Sequence, residues 1–251
     1  MLKSAFVCLA LLATSGSAQA ADPAEKTVRD AVHSMLPFAV IDTVVKSGLP
    51  GFYEVIISGQ VAYVSADGKY LLQGNLYDVP DKKDLTAARI ADLRAQALAK
   101  LPASKEIVFA PAKPRHTITV FTDVDCPYCR AFHKNIAAIN GLGIAVRYVM
   151  FPLDIHPDAN RQAVAVWCSK DRNAAYTAAM EGKVPPDASC TNPVAETKAL
   201  GLALGINATP TLLAEDGTQL DVGKVSSPRS LLAELDRMAA ARAQKDKVAA
   251  R

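Results

Sequence analysis

The sequence predicts an α+β chain built from a small mixed unit, a helical connector and a larger unit of alternating strands and helices. Three observations predict it. Residues 53–73 alternate in β-type runs around Asp67-Gly68, the pattern of a hairpin meander. Residues 85–101 are rich in Ala, Leu, Arg and Lys, the pattern of a helix. From Glu106 onward strand-like runs alternate with helical segments, and one of these runs leads directly into Cys126-Pro127-Tyr128-Cys129.

The chain opens on a targeting segment. Lys3 is its positive end, Ala5 to Ala13 a short apolar run, and Ala18-Gln19-Ala20 a small-residue cleavage site. An uncleaved anchor is the alternative, but the run is far too short to span a bilayer. Cleavage before Ala21 leaves 231 residues, a formal charge of +2 and four cysteines, Cys8 having gone with the leader. No later stretch is long and apolar enough to cross a membrane, so the expectation is a soluble, exported protein. Near-neutral charge and the lack of a basic block or a glycine-rich phosphate loop argue against nucleic acid as a partner.

The elements then follow in order. Asp22 to Met35 reads as an amphipathic helix with Ala24, Val28, Val32 and Met35 on one face, ended by Pro37. Tyr53 to Ile57, Val61 to Ser65 and Lys69 to Gln73 read as strands. A unit of about 60 residues without a disulfide has a thin core, which pairing with a second copy would relieve. Leu85 to Leu101 has a cap at Asp84 or Thr86, a stop at Pro102, and a narrow apolar stripe of Ile90, Leu93, Ala97 and Leu101. That suits a linker, or a surface helix of the second unit. Thr117 to Phe121 and Ala145 to Met150 read as strands, and Arg130 to Ala138 as the helix begun by the cysteine pair. Further helices are expected from Arg161 past Tyr176, over Pro193 to Leu204 with Gly205 beyond its end, and over Ser230 to Ala241. Thr211 to Ala214 and Gln219 to Val222 read as a hairpin around Asp216-Gly217, and Gln244 to Arg251 as a charged, frayed tail. This is the thioredoxin order with a helical insertion. The expected divisions are 1–20, 21–83, 84–105, 106–245 and 246–251.

The chemistry centres on the cysteine pair. A thiol at a strand-to-helix junction sits where free backbone N–H groups favour the thiolate, which is the reactive species. Cys126, at the helix mouth and the more exposed of the two, is assigned as the attacking thiolate. Cys129, one turn inside, is the resolving thiol. Pro127 suits the first helical turn, and Pro127 and Tyr128 are expected to tune the redox potential. The competing reading is half of a zinc site made by Cys126, Cys129 and His133, but no fourth ligand lies nearby, so neither metal nor cofactor is expected. Four cysteines allow three pairings. Pairing Cys168 with Cys190 leaves the close pair free to cycle, and a structural disulfide is the simplest reading of those two. Pro210 follows a helix and precedes a strand. In the trans form it shapes a turn. In the cis form it would turn the Thr209 backbone toward Cys126, where the Thr209 hydroxyl could reach the sulfur. His33 and His116 read as surface or loop residues, and Asp125 as a helix cap rather than a proton partner of the sulfurs.

These residues resemble a known family. The run Asp67 to Val79, the segment His116 to Asp123 with its C-x-x-C, Gly143 to Pro152, Trp167 to Asp171, Ala188-Ser189-Cys190 and Gly205 to Pro210 are similar, in order, to the periplasmic disulfide isomerases of the DsbC type. The resemblance covers nearly all of the mature chain. It implies a V-shaped homodimer held by cystatin-like N-terminal domains, helical linkers, and thioredoxin-like domains facing an apolar cleft. It implies that Cys126 attacks wrong disulfides of misfolded exported proteins, that Cys129 resolves, that Cys168–Cys190 is structural and that Pro210 is cis. It also implies a DsbD-type membrane reductase that keeps the pair reduced, and chaperone capacity. There is one departure: the DsbC motif has Gly where this chain has Pro127. Pro-Tyr between the cysteines resembles the sister DsbG type, a reductase of cysteine sulfenic acids. A monomeric DsbA-like thiol oxidant leaves the N-terminal unit without a purpose, and a holdase with incidental cysteines is the remaining alternative.

Overall fold

The computed structural model of the protein describes residues 22–249; the targeting segment expected over residues 1–20, with Cys8, lies outside the described residues. Helix α1 (Pro23–Met35) begins where the sequence offers a cap. Asp22 Oδ1 accepts from the Ala24 N–H at 3.1 Å, and Pro23 occupies the first turn. Val28 and Val32, a turn apart, form its buried face. They lie on an antiparallel sheet of β1 (Ile41–Lys46), β2 (Phe52–Ile57), β3 (Gln60–Ser65) and β4 (Leu71–Gln73), in that spatial order. Burial of a valine there stabilises by about 1.5–3 kcal/mol. The β3–β4 turn uses Gly68 at φ +73°, where an added Cβ would come 3.1 Å from the Ala31 methyl group. Asp67-Gly68 therefore both reverses the chain and lets it pass close to α1. Strand β1 was outside the sequence reading. Its register shifts between Ile41 and Thr43, and such a bulge blurs the period-2 pattern.

A short ribbon, β5 (Tyr77–Asp78) and β6 (Lys83–Asp84), leads into helix α2 (Leu85–Ala99), capped by Asp84 Oδ1 on the Ala87 N–H at 2.8 Å. The stripe on α2 meets two surfaces. Ile90 and Leu93 pack with Ile56, Val61 and Tyr63 of the first unit. Ala97, Leu98 and Leu101 pack with Phe121, Val149, Phe151 and Leu213 of the second. Between them the buried Arg94 donates to the Leu204 carbonyl at 3.2 Å and to Gln219 Oε1 at 3.0 Å. Gly217, at φ +78°, sits so close that a Cβ would lie 1.9 Å from the Ala91 carbonyl oxygen.

The second unit is a sheet in the order β10-β8-β9-β7, from β7 (Ile107–Phe109), β8 (His116–Thr122), β9 (Ile144–Met150) and β10 (Thr211–Ala214). β8 and β9 are parallel and the outer pairs antiparallel. Both faces are covered, so the strands read as near-continuous apolar runs. Ile118, Val120, Val146, Tyr148 and Leu212 face one core, whereas Phe121, Val149 and Leu213 face the other. Around the sheet lie α3 (Pro127–His133), α4 (Ile136–Gly141), α5 (Ala159–Trp167), α6 (Arg172–Met180), α7 (Val194–Ala203) and α8 (Pro228–Ala249).

Four local expectations differ from what is observed. The helix expected over Arg130 to Ala138 is two helices, interrupted where the Asn135 amide bonds to the Ala131 carbonyl at 3.3 Å in competition with the backbone ladder. The strand expected over Gln219 to Val222 is a single bridge from Gln219 to Leu213, because Asp221 closes a turn onto the N–H groups of Gly223 and Lys224. The tail expected to fray continues α8 as helix to Ala249, in a segment rich in the helix formers Ala and Lys. His116, read as surface or loop, begins β8 and pairs through Nε2 with Asp236 at 2.7 Å.

Candidate active site

Strand β8 runs out at Thr122 into the turn Asp123-Val124-Asp125-Cys126. The Asp123 carboxylate, fully buried, builds that turn. Its Oδ1 accepts the Asp125 N–H at 2.7 Å, and its Oδ2 accepts the Leu153 N–H at 2.8 Å and meets His156 Nδ1 at 2.9 Å. Cys126 then stands at the N-cap of α3, its N–H on the Asp123 carbonyl at 3.3 Å, with Pro127 in the first turn. Asp125, read as the cap, is not one. Its carboxylate is turned away to Gln162 Nε2, at 3.0 and 2.9 Å, and to Arg130, at 3.0 Å.

Cys126 and Cys129 are unbridged and both buried, with exposures of 3 % and 1 %. The expected difference in exposure is thus slight, and what separates the two thiols is their electrostatics. Cys126 is pulled from its ordinary 9.0 to about 5, first by the hydrogen bond from the Cys129 thiol. Burial opposes this, while the Thr209 hydroxyl and the N–H groups of Cys129 and Tyr128 add to it. Burial, and then that same bond to Cys126, pushes the Cys129 thiol well up. At neutral pH one sulfur is a thiolate and its neighbour a thiol, the division that a nucleophile and a resolving group require.

The second chain segment at the sulfur is the turn before β10. The Thr209–Pro210 peptide is cis. The Thr209 carbonyl, rather than its hydroxyl, accepts from Cys126 Sγ at 3.2 Å. Thr209 Oγ1 is buried and has no hydrogen-bond partner, which leaves it available to the sulfur once that is ionised. Tyr128 is 72 % exposed and forms the rim of a cleft of about 170 Å³, lined also by Phe132, Val222, Val225 and Leu231. Cys168 and Cys190 form a disulfide that ties the end of α5 to the segment before α7. His133 does not turn toward the sulfurs. Its Nδ1 meets the Tyr148 hydroxyl at 2.9 Å and its Nε2 the Thr177 hydroxyl at 3.1 Å, and burial takes it down to about 4.

Several neighbours of the site escaped the sequence reading. The Thr122 and Tyr176 hydroxyls are bonded at 2.8 Å beneath the pair. Gln162 and His156 reach the turn from more than 30 residues away. No local pattern marks such residues, since each acts only through a partner distant in sequence.

Comparison with known proteins places this geometry. Residues 18–87 match the family described as Disulfide bond isomerase protein N-terminal domain, and residues 103–239 match the Thioredoxin-like domain. Thiol:disulfide interchange protein DsbC of Escherichia coli (strain K12) is 35 % identical over 86 % of this chain and 89 % of its own length. The protein of the same name from Dickeya dadantii is 35 % identical over 91 % and 92 %, and that from Salmonella typhimurium 34 % identical over 94 % and 96 %. With both units matched, most of each relative spanned and a dithiol at the junction of β8 and α3, the chain belongs to the DsbC family of thiol:disulfide interchange proteins and is a disulfide oxidoreductase with a thioredoxin-like unit.

Proposed function

We propose that the protein is a disulfide isomerase of exported proteins, acting through Cys126. The observation that carries this reading is the unbridged pair at the mouth of α3, Cys126 at the helix N-terminus with its acidity drawn up and Cys129 one turn inside with its own pushed down. The Cys126 thiolate attacks one sulfur of a wrong disulfide, and the other client sulfur leaves as a thiolate. A different client thiolate then attacks the mixed disulfide, forms the new client bond and releases the Cys126 thiolate, so no net electrons are transferred. Where no client thiol is placed to do this, Cys129 attacks instead. The client leaves reduced, and Cys126–Cys129 becomes a disulfide that an external reductase of the DsbD type must reopen.

The same reading makes the protein a periplasmic homodimer joined through its N-terminal unit. Support comes from apolar side chains that unit leaves uncovered: Phe38 is 98 % exposed, and Val40, Tyr70, Leu72, Tyr77 and Val79 are also exposed. Two catalytic units facing a common space would hold a misfolded client, which gives the protein chaperone capacity. Reduced protein added to a scrambled multi-disulfide substrate is expected to restore its native pairing, and Cys126→Ala is expected to abolish this. Equal recovery with Cys126→Ala would sink the reading, and a monomer by light scattering would remove its dimeric part.

Pro127 favours a second reading, a DsbG-like reductase of cysteine sulfenic acids, since Pro-Tyr stands between the cysteines. In that case the thiolate attacks the sulfenic sulfur, hydroxide leaves as water, and Cys129 resolves. Faster turnover of a sulfenylated protein than of a scrambled one would favour it.

A further inference from the structure

The residue just before Cys126 is an aspartate, and a bare carboxylate there opposes ionisation of the neighbouring thiol. In the fold this carboxylate is not bare. Gln162 Nε2 lies 3.0 and 2.9 Å from its two oxygens, and an Arg130 guanidinium nitrogen 3.0 Å from one of them. Arg130 Nε also donates to the Val124 carbonyl at 2.8 Å, so one guanidinium holds two consecutive residues of the turn. Gln162 is only 6 % exposed. It is carried by α5, whose end is pinned by the Cys168–Cys190 disulfide. The titratable and charged groups around the turn are Asp123 with its partner His156, Asp125, Cys129 and Arg130.

We propose that Gln162 and Arg130 are positioning residues for the reaction: through the Asp125 carboxylate they hold the Asp123–Cys126 turn, with Arg130 supplying the compensating charge, and keep that carboxylate turned away from the attacking sulfur. The inference rests on the reading of Cys126 as the attacking thiolate. It gives α5 a part in the chemistry without contact to substrate. The amide contributes two hydrogen bonds to an ionised acceptor, and the guanidinium a third and the compensating charge. Removing either frees the carboxylate to bring its negative charge toward the sulfur.

The test is the pH dependence of Cys126 alkylation by iodoacetamide in the reduced, full-length protein, with the modified residue identified by mass spectrometry. Gln162→Leu is expected to raise the midpoint by roughly half to one pH unit, so that alkylation at pH 5 slows by roughly two- to fivefold. Gln162→Glu keeps the shape of the side chain, brings a second carboxylate to Asp125, and is expected to raise the midpoint further. In an Asp125→Asn background, Gln162→Leu is expected to add nothing. An unchanged midpoint in both folded Gln162 variants overturns the inference, as does a full Gln162→Leu shift in the Asp125→Asn background. If only one variant folds, its midpoint decides. Isomerase activity of Cys126→Ala tests the underlying reading separately: retained activity refutes that reading, while the alkylation midpoints still report on the clamp.

Discussion

Taking the reduced protein from pH 7 to pH 4 should remove the stability that the Cys126 thiolate supplies. In the unfolded chain this thiol titrates near its ordinary 9.0, and in the fold at about 5. The folded value is the lower one. The stabilisation is therefore complete above about 9, declines as the pH falls, and is lost on passing through about 5. At one proton per molecule the slope is about 1.4 kcal/mol per pH unit. The contribution still present at pH 7 is then roughly 2–3 kcal/mol. Cys129 does not disturb the comparison, because it is a thiol in both states over this range. The assay is urea unfolding under a reductant at pH 4, 5, 6 and 7, on the protein and on Cys126→Ala. Every carboxylate and histidine is shared between the two, so their contributions cancel in the difference. The stability gap is expected to widen by roughly 2–3 kcal/mol from pH 4 to pH 7. A gap that stays constant across the range would refute the reasoning, and with it the hydrogen bonds credited with holding the thiolate.

His133→Phe removes the partner of the Tyr148 and Thr177 hydroxyls, at a cost of about 1–3 kcal/mol. His133 in the fold sits at about 4, below its ordinary 6.5, so its neutral form contributes stability above 6.5 that is lost as the pH falls through 4. A urea series on His133→Phe should show a shallower decline over that window, and an equally steep one would count against the assignment. Gly217→Ala drives a methyl group into the Ala91 carbonyl, so α2 must shift. The expected loss is at least about 2 kcal/mol, with faster amide exchange along α2, and unchanged exchange would contradict the close approach. Replacing both Cys168 and Cys190 by Ser opens a loop of sequence separation 22 and should lower unfolding stability by about 3 kcal/mol. Equal denaturant midpoints for the two proteins would deny the bond a structural part.

What could be read in advance depended on how local the cause was. The α2 cap at Asp84, the Asp67-Gly68 turn and the apolar runs of β8 and β9 are each produced by residues within a few positions of one another, and they stand in the fold as they read. The break after His133 and the single bridge at Gln219 are local in position but competitive in cause. In each, one side chain, Asn135 or Asp221, takes a backbone partner that a propensity reading assigns to the ladder. Strand β1 was lost to a bulge, and β7 to brevity. At the site, the C-x-x-C was legible because spacing alone brings two thiols to one helix mouth. The fate of Asp125 was not legible, because its acceptors are met by Gln162 from another helix. With Pro210 cis, the Thr209 backbone was expected to face Cys126, and its carbonyl does accept from the sulfur, while the hydroxyl, also expected to reach it, has no partner.

By itself, then, the sequence determined the two unlike units, the helix between them and the close pair of thiols, and its resemblance to known proteins gave the family. The units, the helix and the thiol pair follow from short-range patterns, where each residue's preference can be read beside its neighbours'. The sequence already pointed to Cys126 as the thiolate, from its place at the helix mouth; what only the tertiary structure decided is which groups separate the two thiols. Cys126 and Cys129 are the same side chain two residues apart, and both are almost wholly buried. They differ because one sulfur is met by the Cys129 thiol and two backbone N–H groups, with the Thr209 hydroxyl close by, while the other lies deeper, where burial penalises charge. The helix mouth is legible along the chain, whereas the depth at Cys129 and the approach of Thr209 depend on parts of the chain far apart in sequence.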